Sequence, residues 1–335
     1  MKTKENIMNM KKIGLSALAG SLAMVSAHAV DVAVTGKTEI TFLSEERTGD
    51  TVGASNGNPW GMGNELAFSG SGDVNGMTAA YMATLGDGGS TATFASSKLT
   101  LDMGDLGLIG FDQGVGSFGA STIDDMMPYA YEEANYGTGG TNGLRAAGTA
   151  QNVLGYIGTF GGMKLNVEID PGSDGTGAAT GDGSTSGAGT TNSGYNFAVT
   201  GAIADGMNAG IGYGDEDNGT AANGTSEKYA TAYVTYAVGA ATVGYQRSEG
   251  TGGLAGVAGN STEMYGISYS VNENLALSFN IIDNTFNKAS LADVEEETQG
   301  MGVSYTMGSA AVRVVNNTTD NLAGDAGAEK TITEV

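Results

Sequence analysis

Tyr265-Gly266-Ile267-Ser268-Tyr269-Ser270-Val271-Asn272-Glu273-Asn274-Leu275-Ala276-Leu277-Ser278-Phe279-Asn280-Ile281 is the stretch whose reading decides the fold. Large apolar residues at 265, 267, 269 and 271 alternate with glycine and serine, three polar residues interrupt, and Leu275, Leu277, Phe279 and Ile281 resume the alternation. A period of two places successive side chains on opposite faces of an extended chain. The segment therefore reads as two antiparallel strands joined by a tight turn.

Working outward, the same unit recurs. Leu66 and Phe68 lead through Asp73-Val74-Asn75-Gly76 into Met77, Ala79, Tyr81 and Leu85, and Asn-Gly between alternating segments is the strongest short hairpin signal. Leu99, Leu101 and Met103 pass Gly104-Asp105 to reach Leu108; Leu154 and Tyr156 turn at Gly161-Gly162 into Met163, Leu165, Val167 and Ile169. Tyr195, Phe197 and Val199 turn at Asp205-Gly206 into Met207, Ala209, Ile211 and Tyr213. Val234 and Tyr236 turn near Gly239 into Ala241, Val243 and Tyr245, although Tyr229 and Tyr233 have the opposite parity and leave the facing of that strand open. Met301, Val303, Tyr305 and Met307 turn at Gly308-Ser309 into Val312 and Val314. With Val32, Val34, Ile40 and Phe42 forming the first strand, the count reaches about fifteen, and a sixteenth begins at Thr331.

Connections alternate between two to four residues and roughly eight to forty, which implies two different ends. The long ones include the segment with Asn56, Asn58, Pro59 and Trp60, and the Gly/Ser/Thr tract from Pro171 to Thr191. Pro59, Pro128 and Pro171 all fall in segments read as loops, as an unbroken ladder requires. Past the first 29 residues no run approaches the eighteen or so apolar residues of a spanning helix.

In a soluble sandwich the apolar face of each strand would pack on a second sheet. In a bilayer barrel it meets lipid, and Lys37, Glu39, Lys98, Asp102, Lys164, Glu168 and Arg313 point into a wet lumen. About sixteen strands enclose more space than side chains can fill. The expectation is an all-β, 16-stranded antiparallel transmembrane barrel with a water-filled channel.

Lys11-Lys12, the apolar run from Ile13 to Val25 and Ala27-His28-Ala29 have the form of a secretory signal peptide over residues 1–29, leaving 30–335 as the barrel. Removing that leader takes away four lysines and one glutamate, which leaves ten basic against 36 acidic residues, a net charge of −26. Such a balance argues against nucleic acid as a partner and favours collecting cations. Cysteine is absent and the single histidine, His28, lies in the leader, so thiol and imidazole chemistry and His-ligated zinc are excluded from the exported chain.

The longest connection, residues 112 to 150, contains Ile123, Met126, Met127, Tyr129 and Tyr131, too apolar for a loop left in water. It should pack on something, and loops of this length are usually functional. With its Asp124-Asp125 and Tyr131-Glu132-Glu133 stretches, its leader and its strand count, the chain resembles the general porins of Gram-negative outer membranes, in particular those of alphaproteobacteria. The resemblance implies a homotrimer in outer-membrane lipid and lipopolysaccharide, passing small hydrophilic solutes and ions. It also implies a third loop folded into each barrel, with acidic groups facing a basic wall. Carried over, the acids are Asp124, Asp125, Glu132 and Glu133, and the wall bases are Lys37, Lys98, Arg145 and Arg313. Charged groups so opposed would orient polar solutes, and the net charge predicts a weak cation preference. Porins usually finish on a strand with a terminal Phe; this chain stops at Val335, so the last strand is expected to lack a few residues, and were Val335 the true end an unpaired edge would face lipid.

Gly114-x-Gly116-x-x-Gly119 matches a dinucleotide fingerprint, but no helix follows. Asp215-x-Asp217-x-Gly219 lacks the Glu of a calcium loop, having Ser226 in its place. No cofactor is expected beyond loosely held divalent cations. The alternative reading is a secreted acidic surface or adhesin-type β protein, which the alternation of short and long connections disfavours. A barrel enzyme would have to work with carboxylates, hydroxyls, Lys or Tyr, and nothing places two carboxylates at a defined separation.

Overall fold

The computed structural model describes residues 31–49, 58–87, 92–141, 143–144, 151–173, 191–216, 227–254, 257–288 and 292–335, so the expected leader lies outside the described residues. The strands are β1 (Asp31–Thr48), β2 (Trp60–Val74), β3 (Met77–Asp87), β4 (Ala92–Asp102), β5 (Leu108–Gln113), β6 (Gln151–Phe160), β7 (Met163–Ser173) and β8 (Thr191–Ala204). They continue with β9 (Met207–Glu216), β10 (Glu227–Val238), β11 (Ala241–Leu254), β12 (Val257–Ser270), β13 (Leu275–Lys288), β14 (Val294–Met307), β15 (Ala310–Asp320) and β16 (Glu329–Glu334). Each pairs antiparallel with its neighbours in sequence, and β16 pairs with β1 to close the ring.

The short turns lie where the sequence puts them. Asn75 and Gly76 take φ of 55° and 83°, the two left-handed residues of a type I′ turn. The quoted hairpin closes differently, with the Asn272 side chain accepting from the N–H of Asn274 (2.9 Å) and Leu275 (3.0 Å).

Burial is inverted relative to a soluble protein. Val32 and Ile40 keep 70% and 69% of their surface exposed, whereas Gln246 and Thr319 keep none. Apolar rows face outward and amides and hydroxyls face inward, the arrangement of a barrel with lipid outside. Tyr229 and Tyr233 resolve the open question in β10: they point inward and are buried, while Tyr236 faces out. Aromatic residues sit on the wet side here because part of the interior is dry, for the reason given below.

Three expectations change. Trp60 begins β2 instead of lying in a loop, and its ring meets Phe42 edge-on at 5.1 Å between centroids. β7 runs through Pro171, which pairs with Ser193 at the strand's outer end, where the ladder is nearly finished. The long connection expected between β11 and β12 is mostly strand, since pairing continues to Leu254 opposite Val257.

Closure uses the six residues of β16, from Leu43 opposite Glu334 to Thr48 opposite Glu329, extended by reciprocal bonds between Phe42 and Val335 (2.9 and 3.0 Å). The six residues of β16 therefore suffice to close the barrel. Among the described residues, the expected unpaired edge is confined to Asp31–Thr41 of β1 and Ala310–Val314 of β15.

Above the outward apolar band, one rung of directly opposed residues crosses six strands: Arg247, Glu263, Asp283, Glu297, Asp320 and Glu329. Arg247 pairs with Glu263 at 2.9 Å. The remaining carboxylates repel one another across adjacent strands and need water or counter-ions, which sets an upper limit to the hydrocarbon layer on this side.

Candidate functional site

The third loop leaves β5 at Gln113 and turns into the barrel at once. Asp112, fully buried, accepts from the N–H groups of Val115 (2.7 Å) and Ser117 (2.9 Å), and Lys98 Nζ donates to Ser117 Oγ at 2.8 Å. A carboxylate binding two alternate turn amides folds the root back toward the wall.

From there the loop runs along the inner wall, where inward-facing side chains take up its backbone in order. Asn166 Oδ1 accepts from Gly119 (3.0 Å) and Asn196 Oδ1 from Ala120 (2.7 Å). Gln246 accepts from Met126 N–H at 2.8 Å and donates to the carbonyls of Ile123 and Asp124, both at 2.9 Å. Ser278 accepts from Ala130 (2.9 Å), Asn280 donates to Pro128 (3.2 Å), and Asn317 donates to Glu133 (3.2 Å) and Tyr136 (3.0 Å). A loop lying on a wall has no ladder of its own, so each of its buried backbone groups needs such a partner. Each bond contributes a net ~1 kcal/mol, and leaving its buried partner orphaned costs ~1–3 kcal/mol.

Glycines on the wall make room beneath the loop's apolar side chains. A Cβ on Gly110 would lie 2.6 Å from the Phe118 ring, and one on Gly155 would overlap it. Gly266, from the stretch that decides the fold, leaves space for Met127 and Pro128, where a Cβ would come within 2.9 Å of both. Gly300 does the same under Ala134. Between these sockets Ile123, Tyr233 and Ala198 form a buried cluster, as do Met127, Ala134, Met264 and Ile282. This is the dry interior that accommodates Tyr229 and Tyr233.

The four predicted acids are all on the loop, in two environments. Asp125 is buried, with its carboxylate accepting from the N–H of Met127 at 2.8 Å; burial, with smaller contributions from Glu133 and Asp124, pushes its pKa up to about 7. Glu133 is also pushed up to about 7, by burial and then by the charges of Asp124 and Glu132. Asp124 is raised by burial, and its side chain accepts from the N–H of Asp125 at 3.0 Å. Glu132 belongs to the other environment: burial and Glu334 raise its pKa, while Arg313 and Lys37 pull it back. The Arg313 guanidinium stands 5.0 Å from the Tyr131 ring centre, a cation–π contact that fixes its position beside the loop.

Of the predicted bases, Lys37 and Arg313 thus share the field of Glu132. Lys98 is held at the loop root by Ser117, a depth that inward parity alone does not fix. Arg145 lies outside the described residues. Sequence reading missed the amides Asn166, Asn196, Gln246, Asn280 and Asn317 and the socket glycines. Their signal was available, since carboxamides and glycines recur at inward positions of mid-strand, where a purely water-facing wall would not require them.

A family model described as Gram-negative porin matches residues 14–332. Solved structures with the same fold include OmpF of Salmonella typhi in complex with daunomycin, 12% identical with a TM-score of 0.62 over 89% of this chain and 96% of that one. An anion-selective porin from Comamonas acidovorans is 15% identical, with a TM-score of 0.58 over 91% and 98%. OmpT of Vibrio cholerae in its trimer form is 12% identical, with a TM-score of 0.57 over 90% and 98%. No curated protein matches the sequence. Identities this low establish a common barrel, and the family match extends over nearly the whole chain. The chain belongs to the Gram-negative porins, and its closed barrel is an outer-membrane channel for passive diffusion.

Proposed function

We propose that this porin passes small hydrophilic solutes and ions with a weak preference for cations, that it works as a homotrimer, and that it makes and breaks no covalent bonds. The observation that carries the reading is the acidic arc of Asp124, Asp125, Glu132 and Glu133 on a loop pinned inside the lumen. Glu132 stands in the field of Lys37 and Arg313. A solute passing between them crosses a transverse field that favours polar molecules, and the excess of acid on the loop sets the ionic sign. The anion-selective relative from Comamonas acidovorans has the same fold, so the sign rests on these charges and not on the barrel. The trimer form of Vibrio cholerae OmpT supports the assembly. Lipopolysaccharide would meet the outward carboxylate rung, with loosely held divalent cations between the two sets of negative charge.

The test is a planar bilayer under a KCl gradient. Purified protein should give a reversal potential of cation-selective sign, and Asp124→Asn should reduce it. Clear anion preference in the parent protein overturns the proposal.

A further inference from the structure

Glu296 on β14 is one of the most deeply buried carboxylates of the barrel, at 1% exposure. Its two oxygens serve two different loops. Oε1 accepts from the N–H of Thr141, on the far limb of the third loop, at 2.7 Å. Oε2 accepts from the N–H of Ala323, in the connection between β15 and β16, also at 2.7 Å. Backbone N–H bonds this short to a carboxyl group are among the strong ones.

The surroundings fit a clasp. Ala323 holds a φ of 57°, a left-handed value that alanine adopts only when the structure around it insists, and Asn321, a residue that takes this conformation more readily, holds 52°. Asn321 is fixed from both sides, donating to the Glu295 carbonyl at 2.8 Å and accepting from Gly327 N–H at 2.9 Å. On the third-loop side, Thr319 donates to Thr138 at 2.7 Å, and Gly140 lies against Thr298 and Thr319 with no room for a Cβ.

We propose that Glu296 is a positioning residue for the constriction, a two-sided clasp through which the outer β15–β16 connection holds the far limb of the third loop in place. The last connection of the barrel and the loop at its constriction then share one side chain, so that disturbing the first loosens the second. This rests on the reading of the third loop as the constriction. Glutamine at 296 keeps one acceptor and presents an amide N–H₂ to the other backbone donor, so one loop is released; alanine releases both.

Hydrogen exchange and single-channel recording on the full-length protein test the clasp. In Glu296→Gln one of the peptides containing Thr141 and Ala323 should lose protection, by roughly tenfold at the amide whose bond is lost, and in Glu296→Ala both should. Open-channel noise should rise from wild type through Glu296→Gln to Glu296→Ala, while the heat resistance of the assembled barrel stays near that of wild type. Removing residues 322–327 should give noise near that of Glu296→Gln, and adding Glu296→Ala to that deletion should raise it no further than Glu296→Ala alone does. Quiet channels in Glu296→Ala, or noise that sums in the combined variant, overturn the proposal. Channels whose selectivity responds to Asp124→Asn but whose noise ignores Glu296→Ala refute the clasp and leave the constriction standing.

Discussion

Acidifying the medium from pH 8 to pH 6 should strip this pore of much of its cation preference. Asp125 and Glu133 both have pKa values of about 7, set chiefly by burial against the wall. Taken singly, each would be ~90% ionised at pH 8 and ~10% at pH 6, so the pair loses about 1.6 elementary charges over that interval. Coupling through Asp124 and Glu132 spreads the transition without moving its centre far. The same shift has a stability counterpart whose sign follows from its direction. Folding raises both pKa values, so the stabilisation is complete below about pH 4 and is lost as pH rises through about 7. For Asp125, buried in the docked loop, the rise from 3.8 to about 7 corresponds to about 4 kcal/mol. The amide bonds to the wall offset this at neutral pH. The assay is the reversal potential under a fixed KCl gradient between pH 5 and pH 8.5, with Asp125→Asn alongside. Asparagine keeps an oxygen for the Met127 N–H, so the variant should start at pH 8 with a smaller cation preference and show a shallower titration. A midpoint near pH 4, where exposed carboxylates titrate, would refute the placement of these acids. An Asp125→Asn curve that overlays wild type would do the same.

Gly155→Ala should push the Phe118 ring from its socket and cost about 1–3 kcal/mol through overpacking, seen as a lower melting temperature and a noisier or wider channel; a quiet wild-type channel would count against the socket. Gln246→Leu removes one acceptor and two donations to the loop while nearly preserving size, and should free the segment around Met126 to proteolysis, at about 1–3 kcal/mol for each orphaned group. Arg313→Ala removes a positive charge beside Glu132 and should increase cation preference in the same bilayer assay; unchanged selectivity would place Arg313 outside the ion path. Chelating divalent cations should lower the thermal stability of the protein in lipopolysaccharide-containing membranes, and Glu297→Gln with Asp320→Asn should blunt that dependence.

The barrel was legible because lipid and water impose opposite demands on alternate residues, and the hairpin turns mark each reversal. The packing of the third loop against protein was legible as well, since Ile123, Met126 and Met127 could not remain in water. Depth was not legible. Parity put Lys98 on the inner face but could not say that Ser117 would reach it. Asp125 looked like a solvent-facing charge and is buried against its own loop. Tyr229 and Tyr233 confused the facing of β10 because they obey a different rule from their neighbours. They face a loop from a distant part of the chain, and no local period can announce that contact. The amide row was missed for the same reason: a carboxamide on an inner wall looks the same whether it binds water or a backbone 180 residues away, as Asn317 does with Tyr136.

That separation bears on biogenesis. Gly119 docks on Asn166, 47 positions later, but Glu133 waits for Asn317, 184 positions later. The insert can complete its seating only when the ring is almost whole, and contacts so far apart in sequence form slowly. A half-built barrel would then be a wide hole with its plug adrift, and narrowing the aperture becomes the final act of maturation, which makes ion leak through nascent barrels a direct measure of how far assembly has gone.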